Sequence, residues 1–153
     1  MSISVRLMAI DDYEAVHKVD ILTQKQYLGQ KFDELNLEEQ EKHLVSRKTE
    51  FQINVGTGYC FVAEDDGQII GFLLAYETLP FTGTLCIRYV GLNPEYQGMG
   101  IGLLVYEKLI EKAKQKQIKE IRALINLDNP RSIGLHEKAG FRISDRKEAV
   151  IEL

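Results

Sequence analysis

The sequence lacks the features that would place it outside the ordinary globular proteins. Its 153 residues include only 3 prolines and 12 glycines, too few for a disordered or collagen-like chain. No run approaches the ~18 apolar residues of a membrane-spanning helix. The N-terminus also lacks the charged-then-apolar pattern of a signal peptide. We therefore expect one cytoplasmic, soluble domain over residues 1–153.

Cysteine and metal-binding patterns are equally scarce. The two cysteines, Cys60 and Cys86, are far apart and lie in apolar runs. This placement favours buried free thiols over a disulfide or a metal pair. His17 and His43 have no second ligand at a spacing typical of metal sites. We expect no metal site.

No large excess of charge of either sign is present. The 19 Lys and Arg against 23 Asp and Glu give a net charge of −4, which argues against nucleic acid as a partner. The charge is uneven, however, because residues 1–96 carry 8 basic and 15 acidic side chains, whereas residues 97–153 carry 11 and 8. A cationic ligand would suit the first part and an anionic one the second. Solvated helix faces alone would produce the same asymmetry.

Hydrophobic periodicity predicts seven strands and four helices along the chain. The strands are expected at residues 5–9, 59–63, 69–76, 84–92, 120–127, 141–144 and 149–153. The helices are expected from residue 13 onwards and at residues 36–48, 102–116 and 128–139. The pattern of residues 24–35 favours neither a helix nor a strand.

The order of these elements predicts an α/β (α+β) fold. Asp66-Gly67 is a strong hairpin signal, so the early strands should pair antiparallel. The later strand-helix-strand order predicts one βαβ crossover. We therefore expect a mixed, mostly antiparallel central sheet flanked by helices. Within residues 36–48, Leu37, Leu44 and Val45 should form the apolar face.

The segment QGMGIG at residues 97–102 carries the clearest chemical signal. Three alternating glycines between a strand and a helix let the backbone approach a ligand closely and leave helix N–H groups unpaired. Such amides bind phosphate groups, although glycine turns also serve tight packing. The spacing matches neither G-x-x-x-x-G-K-S/T nor G-x-G-x-x-G.

This segment resembles the acyl-coenzyme A loop, Q/R-x-x-G-x-G/A, of the GNAT family of N-acetyltransferases. Gln97, Gly100 and Gly102 occupy its fixed positions. Residues 129–141 are similar to the family's N-x-x-x-x-x-L-Y-E-K-x-G-F helix, with His136 in place of the tyrosine. The similarity covers residues 84–142.

The resemblance implies a GNAT-like fold and acetyl-CoA as co-substrate. It places the pantetheine arm against the strand end at residues 90–92, splayed from the next strand at residues 123–125, with the thioester between them. Gly91 would mark a bulge there, and Arg131 and Lys138 would meet the 3′-phosphate or be solvated surface charges. The cofactor-binding residues that it implies are Val90, Leu92, Gln97, Gly98, Met99, Gly100, Ile101, Gly102 and Asn129. Asn129 would contact the pantetheine arm, cap the following helix, or do both.

Acetyl transfer also needs proton donors and acceptors. By the resemblance His136 is the catalytic residue that protonates the leaving thiolate; the alternative is that it fills space beside the pantetheine arm. The N–H of Leu92 is the expected donor to the thioester oxygen. The two positions where relatives carry a glutamate base hold Cys86 and Leu124. No base is assigned, and a water chain could lead to Glu77, Tyr76 or Tyr89.

The acceptor is the least constrained part of the function. An amine on an amino acid, peptide, polyamine or small metabolite would suit the acidic N-terminal half. It should approach from residues 11–41 and the loop at residues 80–83. The aromatic residues that could line its pocket are Tyr27, Phe32, Phe72 and Phe81.

Three functions from different classes fit this sequence. The leading hypothesis is an acetyl-CoA-dependent N-acetyltransferase, with no nucleic acid or membrane partner and with a homodimer left open. The principal alternative is a catalytically silent coenzyme A-binding sensor or partner module. A nucleotide-binding protein ranks lower because of the loop spacing.

Overall fold

This computed structural model describes residues 1–44, 47–78 and 83–153, which form five strands and six α-helices. The strands are β1 (Ile3–Leu7), β2 (Phe61–Asp65), β3 (Gln68–Glu77), β4 (Thr84–Leu92) and β5 (Glu120–Ala123). The helices are α1 (Tyr13–Leu28), α2 (Gln30–Glu34), α3 (Leu37–Leu44), α4 (Lys48–Val55), α5 (Ile101–Gln115) and α6 (Pro130–Lys138). Val45, Pro80 and Phe81, which enter the predictions above, lie outside the described residues.

The sheet has the order β1-β2-β3-β4-β5. Neighbouring strands from β1 to β4 pair antiparallel, whereas β4 and β5 pair in parallel through the α5 crossover. The β2–β3 turn contains Asp66 at φ 47° and Gly67 at φ 85°, the left-handed conformations that a tight hairpin needs. The predicted fold class is therefore confirmed, including the late βαβ unit.

Both faces of the sheet are covered because β2 and β3 alternate apolar side chains between them. Phe61 and Leu73 pack with α5, whose Tyr106 and Leu109 are fully buried. The opposite face packs against α1 and α4; its buried members include Val16, Val19, Phe51, Val62 and Phe72. The open end of β4 thus lies between two helical layers.

The predicted closing strand pair is wrong. Residues 139–153 contain no strand, and β5 ends at Ala123 rather than at residue 127. Phe141 still packs against the core beside α5, but the apolar residues near the end of the chain find no buried face, because Val150 is 72% and Ile151 81% exposed. Local pattern alone does not form a strand without a partner to pair with.

The N-terminal half departs from expectation in two places. Helix α4 follows α3 as a separate element that the sequence did not predict; it buries only Phe51 and Asn54, too few for a clear stripe. Helix α3 has no buried residue, and Leu37 is 79% exposed, so the predicted apolar face of α3 is wrong. Of residues 24–35, all are helical except Leu35, which is extended, and Gly29, which has φ 52° and divides α1 from α2.

Cys60 is 1% exposed and Cys86 is half-buried, and both are free thiols as expected. Across residues 1–44, 47–78 and 83–153, no helix combines the length and the apolar character needed to cross a membrane.

Candidate functional site

The centre of the candidate site is the point where β4 separates from β5. Their pairing ends at Ile87 and Ala123. At the next residue of β4 the register with β3 shifts, so that Arg88 is an extra residue in the strand. A bulge bends a strand and increases its twist, which turns the end of β4 away from β5. The bulge predicted at Gly91 is therefore three residues earlier.

The separation leaves backbone groups of β4 facing the gap. Asn93 N donates to Ile70 O of β3 at 2.7 Å. Because the N–H direction alternates along a strand, the amides of Leu92 and Val90 point to the open edge instead. These are the two β4 residues that the sequence predicts at the site.

Gly91 has a packing role on the face of the sheet that α1 covers. A Cβ at this position would lie 2.6 Å from Cε1 of Phe72 and 3.2 Å from Cγ2 of Thr23. Glycine therefore allows α1 to approach the sheet beside the site.

We expect Gly91→Ala to lower the free energy of unfolding by about 1–3 kcal/mol, because the added methyl overpacks the contact with Phe72 and Thr23. Chemical denaturation measures the change. Gly56→Ala is the matched control, since Gly56 has an ordinary φ of −76° and no described heavy atom within 4 Å of its added Cβ. Equal stabilities of the two variants would contradict this packing role.

The glycine loop gives α5 an N-terminus open to solvent. Gly98 and Gly100 adopt φ 80° and 79°, which favour glycine strongly. Among the described residues no side chain caps this helix, and its first backbone hydrogen bond runs from Leu104 N to Gly100 O. The preceding amides of the loop and first turn are therefore available to an anion.

Gln97 ties this loop to its surroundings. Its Nε2 donates to Leu92 O at 3.3 Å and to Gln26 Oε1 of α1 at 2.7 Å. Its Oε1 accepts from Gln26 Nε2 at 2.9 Å and from Arg131 of α6. One side chain thus joins β4, α1, α6 and the loop.

Helix α6 forms the other wall. Asn129 Oδ1 accepts from Ser132 N at 3.2 Å, so the predicted N-cap is present. Gly102 lies against this helix, because a Cβ there would be 3.0 Å from Leu135 Cδ1. Close packing of α5 on α6 follows from that glycine.

These elements enclose a cleft of about 890 Å³. It runs from the open edge of β4 to the N-terminus of α5, and α1 and α6 flank it. Of the predicted cofactor-binding residues, the structure brings eight to the cleft: Val90, Leu92, Gln97, Gly98, Gly100, Ile101, Gly102 and Asn129. Arg131 and Lys138 also line it, whereas Met99 is 53% exposed outside its lining.

His136 lies beneath the cleft rather than in its lining. The side chain is 2% exposed. Its Nδ1 is 2.7 Å from Ser132 O and must donate there, so Nε2 accepts from the Tyr106 hydroxyl at 2.6 Å. Burial lowers the pKa of His136, against the opposing hydrogen bond to Ser132.

This placement gives the predicted catalytic role of His136 no support. Both ring nitrogens are engaged by protein groups, and a lowered pKa favours the neutral ring over the proton-donating imidazolium. The packing alternative fits the geometry better, and the catalytic role stays a prediction.

We expect the stability of the protein to fall as the pH drops below 6.5, the ordinary pKa of histidine. The unfolded chain then takes up a proton that folded His136 resists, so the free energy of unfolding decreases with falling pH. Denaturation at about pH 7.5 and about pH 5.5 measures this slope. His136→Phe should show a smaller slope, and equal slopes in the two proteins would contradict the assignment.

Two of the three residues considered for a water-linked base, Glu77 and Tyr89, have other partners. Glu77 Oε1 accepts from Gly83 N at 2.8 Å at the end of the sheet. The pKa of Tyr89 is raised, first by burial and then by a hydrogen bond to Glu50, so Tyr89 stays protonated at neutral pH. No base is assigned among the described residues.

A second, smaller pocket, which the sequence did not predict, lies between α1, α4 and the strands β3 and β4. It has a volume of about 20 Å³ and includes Asp20, Arg47, Phe72 and Tyr89 in its lining. The sequence signal for this pocket is a carboxylate, Asp20, next to Val19 in the apolar stripe of α1. In the structure Asp20 is 7% exposed. A buried charge in such a stripe needs a partner.

The aromatic residues predicted for an acceptor pocket are dispersed. Phe72 lines both the cleft and the smaller pocket. Tyr27 lines the cleft, and its hydroxyl donates to Asp128 Oδ1 at 2.7 Å. Phe32 is the buried residue of α2; it packs near His43 and lies outside both linings.

Comparison with known proteins identifies the family to which this chain belongs. The model of the acetyltransferase (GNAT) family matches residues 23–141. That range includes the open end of β4, the glycine loop and α6. The chain belongs to the GNAT acetyltransferase family.

Two relatives of known activity are similar over part of the chain. An L-methionine sulfoximine/L-methionine sulfone acetyltransferase of Pseudomonas paraeruginosa is 29% identical over 111 residues, 70% of this chain and 64% of that enzyme. An L-2,4-diaminobutyric acid acetyltransferase of Shouchella clausii is 33% identical over 79 residues, 52% of this chain and 44% of that enzyme. The matches thus span less than two thirds of these relatives.

The fold has solved counterparts. The crystal structure of PaiA N-acetyltransferase from Thermoplasma acidophilum in complex with coenzyme A superposes with a TM-score of 0.79 at 22% identity. The superposition covers 96% of this chain and 94% of that one. This likeness establishes the fold.

Proposed function

We propose that this chain is a single N-acetyltransferase domain that moves an acetyl group from acetyl-CoA to a primary amine. The observation that carries the proposal is the cleft that joins the open edge of β4 to the N-terminus of α5. A strand edge can pair with an extended, amide-rich chain, and helix amides can bind phosphate. Coenzyme A contains both kinds of group.

The residues of the cleft fit coenzyme A in size and charge. The volume of about 890 Å³ lies within the range of small-molecule sites. Gly98 and Gly100 would allow phosphate oxygens to approach the backbone, because a Cβ added at either glycine meets no described heavy atom within 4 Å. Arg131 and Lys138 would supply positive charge at the α6 wall.

The chain's own contribution to the reaction is orientation and polarisation. Bound acetyl-CoA supplies an activated acyl group as a thioester. The N–H of Leu92 would donate to the thioester oxygen and stabilise the charge that develops there. Gln97 would keep that donor in place, because it holds Leu92 O. The amide of Val90 and the side chain of Asn129 would orient the pantetheine arm.

The activities of the two relatives suggest a small acceptor. Both enzymes described above act on amino acids or amino acid derivatives. We extend that acceptor class, a primary amine of a small molecule, to this chain as part of the proposal. A peptide amine is the second acceptor that the cleft could serve.

A catalytically silent coenzyme A-binding module is the second candidate. The observation that favours it is the engagement of both His136 nitrogens by Tyr106 and Ser132. Such a protein would bind coenzyme A but release no thiol in response to amines.

The test combines binding with turnover. Calorimetry should show acetyl-CoA binding, and a panel of amines should include acceptors that accelerate thiol release above the rate without acceptor. Binding with no acceptor-dependent release would favour the silent module. Absence of binding would refute both candidates.

A further inference from the structure

We propose that Arg47 binds a carboxylate of the acceptor, so that the preferred acceptor is an amine that also carries a carboxylate. The inference rests on the proposed function and deepens it. It depends on the surroundings of the small pocket between α1, α4 and β4.

The guanidinium of Arg47 is held in one orientation. Its carbon lies 3.9 Å from the centroid of the Tyr89 ring, and Nε lies 3.5 Å from Asp20 Oδ2. The side chain is 31% exposed. Beyond these contacts, its two terminal nitrogens have no hydrogen-bond partner among the described residues, although Glu50 attracts the guanidinium electrostatically. A planar guanidinium fixed in this way presents donors in the geometry that a carboxylate requires.

Asp20 is a positioning residue for this guanidinium. Its side chain is 10% exposed, and Oδ2 also accepts from Gln24 Nε2 at 3.0 Å. A buried carboxylate strongly favours a nearby cation. Asp20 therefore keeps Arg47 over Tyr89 without occupying its terminal NH2 groups.

The neighbouring arginine shows the contrast. Arg88 donates to Glu50 Oε1 from Nε at 3.1 Å and from one terminal nitrogen at 2.9 Å. Glu50 thus occupies Nε and one terminal nitrogen of Arg88, which leaves one terminal nitrogen of Arg88 without a hydrogen bond to a described residue. Arg47 keeps both of its terminal nitrogens available, so it is the arginine of this pair with more free donors.

The position of Arg47 suits an acceptor at the thioester. Tyr89, which it covers, directly precedes Val90 at the open edge of β4. Phe72 lines both the small pocket and the cleft. A carboxylate bound at Arg47 would place the rest of a small amino acid beside the proposed reaction point. The pocket beneath, at about 20 Å³, would admit no more than a water-sized group.

The test compares acids with their carboxamides. The twenty common L-amino acids and their carboxamides are assayed for thiol release from acetyl-CoA with the wild-type chain, Arg47→Gln, Arg47→Lys and Arg122→Gln. We expect the wild type to prefer acids, and Arg47→Gln to lower the acid-to-amide ratio of kcat/KM about tenfold or more. Arg47→Lys keeps a charge beside Asp20 but lacks the planar fork, so it should fold and still lose most of the preference.

Arg122→Gln is the matched control, because Arg122 is an exposed arginine of β5 that pairs with Glu120. Its acid-to-amide ratio should equal that of the wild type. An unchanged ratio in both Arg47 variants, or turnover only of amines without a carboxylate, would overturn the inference while leaving the acetyltransferase proposal intact.

A binding measurement separates the two proposals if no acceptor is turned over. Calorimetry on the coenzyme A-loaded protein then compares the same acids and carboxamides. Binding of acids that is lost in Arg47→Gln would support the carboxylate site in a silent module. Equal binding by the wild type and the variant would overturn it.

Discussion

Replacing Gly100 with valine is expected to weaken coenzyme A binding about tenfold or more. Gly100 has φ 79°, where an L residue costs about 1–2 kcal/mol and a β-branched one is an outlier. The valine side chain would also project where phosphate oxygens must approach the backbone. Calorimetric titration of the folded variant with coenzyme A measures the loss.

Gly56→Val is the matched control for this substitution. Gly56 has an ordinary φ of −76° and lies outside the cleft. The affinity of the Gly56→Val protein for coenzyme A should therefore equal that of the wild type. Thermal denaturation of both variants establishes that they are folded. Undiminished affinity in a folded Gly100→Val protein would remove the loop from the binding site.

Replacing His136 with phenylalanine is expected to lower the free energy of unfolding by about 1–3 kcal/mol. Phenylalanine roughly keeps the ring volume but cannot accept the hydrogen bond from Tyr106, whose side chain is fully buried. The hydroxyl of Tyr106 would then be buried without its partner. A second variant, Tyr106→Phe with His136→Phe, removes both polar groups and should recover part of the loss.

The same variant decides between the two roles of His136. Because the ring lies beneath the cleft, we expect kcat of His136→Phe, measured below its unfolding temperature, to stay within about twofold of the wild type. A large fall in kcat with unchanged acetyl-CoA affinity, partly restored in His136→Tyr, would instead identify His136 as the acid for the thiolate.

The sequence predicts the site's backbone better than its side chains. Thr84–Leu92 has the bounds that alternation and Asn93-Pro94 indicate, and α5 begins where the period changes after the glycines. Both features depend on residues that are adjacent in the sequence, which is why the sequence predicts them. They place eight of the nine predicted cofactor-binding residues at one cleft.

The features that the sequence does not predict depend on partners distant in the chain. His136 meets Tyr106 from 30 residues away, and no local pattern indicates that contact. The bulge at Arg88 is defined by the pairing register of β4 with β3, which the sequence of β4 alone does not show. The strands predicted at residues 141–144 and 149–153 have no strand to pair with, although Phe141 packs against Tyr106, so local propensity overstates the sheet.

Acetyl transfer itself can be followed with an isotopically labelled acetyl group. The chain is incubated with labelled acetyl-CoA and the amine panel, and mass spectrometry quantifies labelled N-acetyl products beside the thiol released. We expect one labelled N-acetyl group for each thiol released in response to an acceptor, and a strong decrease in both for Gly100→Val at limiting acetyl-CoA. Saturable acetyl-CoA binding with no labelled product from any amine would show that the chain does not transfer acetyl groups to amines.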